Sequence, residues 1–224
     1  MPVPQSLLQH IPQLVTAIGG LGTAAFGLVD ASKVLWGGVN HIGFPGIRNA
    51  VSKLIPGQSS NTLPPGKILA TLQANWVNGT DLGSQKSIAK SLIKLSLNPQ
   101  NAHAIADATG LDPTIFTGVV AKIASGTSLS AAESDVYSRF DLIVTALLDE
   151  AYQRSDQVYR NSTRALAAAI AVALAMAGGV MLQPPVDWPV SLLVGLLATP
   201  LAPIAKDFST ALATAVNTMQ LVKK

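Results

Sequence analysis

The longest uninterrupted helical pattern in the chain runs from Ser130 to about Gly179. Apolar positions recur on a helical period in its first part, and its last part is almost wholly apolar. No proline or glycine lies between residues 131 and 177, and Ser130 with Glu133 has the spacing of a capping box. The pattern predicts one continuous helix of roughly 70 Å. A break near Asn161 is the alternative, and it would leave the two parts only tethered.

Three segments are apolar for long enough to cross a bilayer, which takes about 20 residues of helix. They are residues 11–29, 165–182 and 186–205. The first is rich in glycine and threonine, so a re-entrant or interfacial segment is an alternative for it. The third contains Pro200 and Pro203, which predict a kink. We expect three transmembrane helices.

Small residues recur every four positions in two of these segments, which would allow another helix to approach closely. The predicted membrane-packing stripes are Gly19, Thr23 and Gly27 in the first segment and Ala167, Ala171, Ala175 and Gly179 in the second.

A different pattern fills the middle of the chain. Four short amphipathic stretches, bounded by turn residues such as Gly110 and Gly126, lie between residues 67 and 126. With the first half of the long helix they predict a small soluble helical bundle. The proline-rich run 55–66 is expected to be a linker.

The fold class predicted is therefore all-α: a membrane protein with three transmembrane helices and a small soluble helical bundle, joined by one long helix over residues 130–179. The expected divisions are an N-terminal transmembrane segment, a loop with a short helix and linker, a cytoplasmic helical domain, a transmembrane hairpin and an amphipathic C-terminal helix. They cover residues 1–36, 37–66, 67–160, 161–206 and 207–224, respectively.

Composition supports a membrane protein, because only 12% of the 224 residues are charged, 49% are hydrophobic and the mean hydropathy is +0.39. The chain has no cysteine, which excludes disulfides and thiolate chemistry. The net charge of +3, without a basic cluster, argues against nucleic acid as a partner. No residue pattern calls for a cofactor.

Charge also predicts the orientation. Of the fifteen lysines and arginines, twelve lie from Lys33 to Arg164, and the first ten residues and the turn 183–189 have none. The positive-inside rule then places the central domain and the C-terminus in the cytoplasm, with the N-terminus outside. A collar of arginines is expected at the membrane surface, formed by Arg154, Arg160 and Arg164.

Two pairs of opposite charges flank the apolar segments. Asp30 and Lys33 follow the first, and Lys206 and Asp207 follow the third. Charge beside hydrocarbon is costly unless it is paired, so Asp30 is expected to pair with Lys206, and Lys33 with Asp207. The alternative is that each side chain simply extends to water.

Few residues are candidates for metal binding or catalysis. His103 and Asp107 have the i, i+4 spacing of a metal-binding pair, but a solvated helix face is the favoured interpretation. The remaining carboxylates have no acid–base or metal spacing, and no Ser-His-Asp arrangement can be built. The sequence therefore predicts no catalytic, metal or cofactor site and a non-enzymatic protein.

One resemblance involves the long helix. Phe140 and Asp141, followed about a dozen residues later by Tyr152 and Arg154, precede the second apolar segment. This order resembles a group of uncharacterised bacterial inner-membrane proteins with one N-terminal span, a cytoplasmic helical domain and two C-terminal spans. The resemblance implies a bacterial inner-membrane location and assigns no site.

Two functions remain as hypotheses. The favoured one is an anchor or scaffold in the lipid bilayer whose cytoplasmic domain binds a protein partner or a second copy of the chain. The alternative is a subunit of an oligomeric pore or transporter-like complex. An intramembrane enzyme is a distant third.

Overall fold

The computed structural model describes residues 5–57 and 63–222, and the side chains of residues 14–33, 37–57, 63–205, 207 and 210. The described chain is helical, without strands. Its helices are α1 (Gln5–Trp36), α2 (Phe44–Leu54), α3 (Pro65–Val77), α4 (Leu82–Ser96), α5 (Ala102–Thr109), α6 (Pro113–Ala124), α7 (Ala131–Met181) and α8 (Trp188–Val222). A short 3-10 turn, Gly38–His41, precedes α2.

The chain divides into two compact units. The central unit spans Asn40–Tyr159 and contains α2 to α6 with the first part of α7. The three-helix unit contains α1, the part of α7 from Arg160 onward, and α8.

The central unit has a core of large side chains. Phe116 and Phe140 are fully buried, and their ring centroids lie 4.8 Å apart. Trp76 packs against Tyr152 and Tyr159, with centroids 6.5 and 6.1 Å away. The short helices and the first part of α7 add aliphatic residues to this core, including Ile47, Leu54, Ile68, Leu72, Ile93, Ile105, Val144 and Leu148.

Helix α2 belongs to this core, although the sequence interpretation placed it in the linker region 37–66. Phe44, Ile47 and Val51 are buried in the same cluster as the residues of α3 to α7. The glycines before and within α2 suggested a loop, but Gly43 and Gly46 allow the backbone to approach Ser155 of α7 closely. Gly43 has a φ of +93°, and a β-carbon there would lie 2.6 Å from the Ser155 carbonyl oxygen. The central unit therefore begins well before residue 67.

The long helix is continuous, as predicted, through Asn161 to Met181. Its capping box is formed: the Ser130 amide donates to Glu133 Oε2 at 2.8 Å, and the Glu133 amide donates to Ser130 Oγ at 3.3 Å. Lys122 Nζ lies 2.6 Å from Glu133 Oε1. The hydrogen bond from Lys122 and those from Ser130 lower the pKa of Glu133 to about 2.

In the three-helix unit, α1 packs along α8. Helix α8 continues through Pro200, Pro203 and residue 206 to Val222. The expected separate helix at 207–224 is therefore, as far as Val222, a continuation of α8. The side chains that would make its last part amphipathic lie outside the described residues.

Three of the described helices are long and apolar enough to cross a membrane, judged by length and composition. The apolar stretches lie in Leu14–Lys33, in Ala131–Met181 and in Trp188–Ala205. The most apolar part of α7 is its C-terminal part, which coincides with the predicted segment 165–182.

Candidate functional sites

Glycines make close helix contacts in the three-helix unit. A β-carbon on Gly22 would overlap the carbonyl oxygen of Ala198, and one on Gly19 would overlap the Ala205 side chain. Because no side chain intervenes, the backbones of α1 and α8 touch at these positions. Ala25 and Ala198 are fully buried beside them, together with Ala171 of α7.

The predicted stripe on α1 therefore needs a correction. Gly19 faces α8, but Thr23 and Gly27 are exposed, and Thr23 Oγ1 donates to the Gly19 carbonyl oxygen at 3.0 Å. The buried small residues continue instead through Gly22 and Ala25. On α1 the buried positions 19, 22 and 25 are three residues apart, so the i+4 series that starts at Gly19 does not follow the interface on this helix.

The predicted stripe on α7 lies on a buried face. Ala167, Ala171, Ala175 and Gly179 are all buried in the three-helix unit. A β-carbon on Gly179 would overlap the Ser191 hydroxyl of α8. Gly195, which the sequence interpretation did not select, is equally tight, because a β-carbon there would lie 2.5 Å from the Val172 α-carbon.

The membrane-flanking charges make a local pair. Lys33 Nζ lies 2.6 Å from Asp30 Oδ1, one turn apart on α1. Asp207 is exposed, and the side chain of Lys206 lies outside the described residues. The pairing of Asp30 with Lys206 and of Lys33 with Asp207 thus stays a prediction.

The three arginines of the predicted collar are all exposed on α7. Arg154 Nη1 lies 3.6 Å from Glu150 Oε1, the i, i+4 partner expected on a solvated helix. The position of the collar relative to a membrane surface stays a prediction.

A row of lysines on α4 lies against carboxylates of α7. Lys90 Nζ lies 2.6 Å from Asp141 Oδ2 and donates to Thr145 Oγ1 at 3.0 Å, and Lys94 also pairs with Asp141. Lys86 Nζ lies 2.5 Å from Asp149 Oδ1. The hydrogen bonds from Lys90 and Lys94 hold the pKa of Asp141 below its usual value. No local sequence pattern indicates these pairs, because the partners lie about fifty to sixty residues apart in the chain.

A cleft of about 480 Å³ lies between the loop before α2 and the α7 segment from Arg154 to Val158. Its lining is mainly apolar and includes Ile42, Pro45 and Val158, with His41 exposed at its edge. No local sequence pattern indicates this cleft, because its two walls are more than a hundred residues apart in the chain.

Three hydroxyl groups of the central unit, those of Thr117, Tyr152 and Ser155, are buried without a hydrogen-bond partner among the described residues. Ser155, which lines the cleft, has 2% exposure, and Tyr152 has 1%. Burial raises the pKa of Tyr152 to about 12. A buried hydroxyl without a partner costs about 1–3 kcal/mol.

The weak metal candidate is a surface pair. His103 Nδ1 lies 3.2 Å from Asp107 Oδ2, and both side chains are more than half exposed. Within the described part of the chain, no three histidine, aspartate or glutamate side chains are grouped closely enough to hold a metal ion.

No family model matches the chain, and comparison with curated proteins and with solved structures finds no similar protein. The resemblance to bacterial inner-membrane proteins therefore stays a prediction.

Proposed function

We propose that this chain is a non-enzymatic integral membrane protein that serves as an anchor or scaffold. In this proposal α1, the end of α7 and α8 cross the bilayer, and the central unit lies in the cytoplasm, where it binds a protein partner or a second copy.

The observation that carries the proposal is the outward direction of the large apolar side chains in the three-helix unit. Less than a third of the residues in each apolar stretch are buried. The exposed residues include Leu14, Leu28, Val180, Met181, Leu182, Trp188, Val190, Leu193, Leu196, Leu197 and Ile204. Each Å² of such surface costs about 25 cal/mol in water, so a hydrocarbon solvent is favoured.

Extraction of membranes with alkaline carbonate tests the embedding. We expect the full chain to stay in the membrane pellet and to be released by detergent alone. Release by carbonate would show a peripheral protein and would overturn the proposal.

The absence of cysteine makes the orientation measurable with single substitutions. Gln183→Cys lies in the turn between α7 and α8, and Gln100→Cys lies on the exposed surface of the central unit. An impermeant maleimide should label Gln183→Cys in intact cells and Gln100→Cys only after the membrane is opened. The reverse pattern would place the central unit outside.

An oligomeric pore or transporter-like complex is the second candidate, favoured by the outer face of α1. Gly20, Thr23 and Gly27 are exposed there, where lipid contact alone would favour larger apolar residues. Mass determination in detergent tests this candidate, because a strict monomer excludes the pore and also removes self-assembly as the role of the scaffold.

A further inference from the structure

We draw no further inference here: the strongest candidate, the cleft of about 320 Å³ between α4 and α7 that is lined by Lys86 and Lys90, carries nothing, because both lysines already pair with carboxylates of α7 and nothing in the structure shows what would displace them.

Discussion

The central unit buries large side chains, whereas the three-helix unit buries small ones and exposes many of its large ones. Phe116, Phe140 and Tyr152 lie inside the central unit, and its charges lie on the surface. In the three-helix unit the buried cluster is formed by Ala25, Ala171 and Ala198. Many of its large apolar side chains face outward, including Leu28, Leu193, Leu196 and Trp188.

The difference reflects two driving forces. Water favours the burial of as much apolar area as possible, and large side chains supply that area. In a bilayer this hydrophobic driving force is absent, because lipid tails are as apolar as leucine. Helix association then depends on close backbone contact between small residues. Shortening a large side chain should therefore be the most damaging change in the central unit, and enlarging a small one should be the most damaging change in the three-helix unit.

Loss of a large core residue should damage the central unit most. Phe140→Ala removes a fully buried ring in contact with Phe116, and we expect a loss of about 3–5 kcal/mol in the free energy of unfolding. Hydrogen exchange of the α6 and α7 amides in detergent measures it. The control is Leu142→Ala on the same helix, where the side chain is 69% exposed and the expected change is within about 0.5 kcal/mol. Equal losses would contradict the assignment of the core.

Enlarging a residue should be the damaging change in the three-helix unit. Gly22→Ala adds a methyl group that meets the Ala198 carbonyl oxygen, and we expect a cost of about 1–3 kcal/mol. The control, Gly20→Ala, adds the same methyl group into open space and should be neutral or stabilising, because alanine favours helix. The melting temperature in detergent gives the comparison. If the order were reversed, the α1–α8 contact would be wrong.

The two units also differ in how much of each could be predicted from the sequence. The helices were predictable because caps and turns are local, as Ser130, Asp112 and Gly110 show. The packing of α2 in the core could not be predicted, because a glycine that permits a close approach to Ser155 cannot be told from a loop glycine in the sequence. The interface on α1 was only partly predictable, since Gly19 fits both a four-residue stripe and the observed contact, while Gly22 fits only the latter.

Partners distant in sequence account for the rest. Asp141 was recognised as part of a motif before the membrane, but its contacts with Lys90 and Lys94 depend on how α4 packs against α7. The cleft beside Ser155 is formed in the same way. No local pattern encodes either feature.

The charged surface of the central unit should make a smaller contribution that depends on pH. Asp141→Asn removes the partner of two lysines and should cost about 1–2 kcal/mol at neutral pH. Because the pKa of Asp141 is lowered in the folded state, its contribution is complete above its ordinary value of 3.8 and is lost as the pH falls towards the folded pKa.

Chemical unfolding of the wild type and of Asp141→Asn between pH 6 and the acid limit of folding measures this contribution, and the two curves should converge in acid. Asp149→Asn is the control, because its pair with Lys86 is half exposed and should contribute less, about 0–1 kcal/mol. Curves that stay parallel at all pH values would show that Asp141 does not stabilise the unit through its charge.

The smallest effect is expected at the charged end of α1. Asp30→Asn removes an exposed pair with Lys33 and should cost no more than about 0.5 kcal/mol. The predicted clamp to α8 adds a second requirement: Asp30→Lys should destabilise the chain, and Lys206→Asp should restore part of the loss. A double-mutant cycle of melting in detergent then shows a coupling of at least about 0.5 kcal/mol. Additive changes would contradict the clamp and leave the Asp30–Lys33 pair as a contact within α1. The contact between α1 and α8 would then depend on uncharged residues such as Gly22 and Ala198, in contrast to the large aromatic core of the central unit.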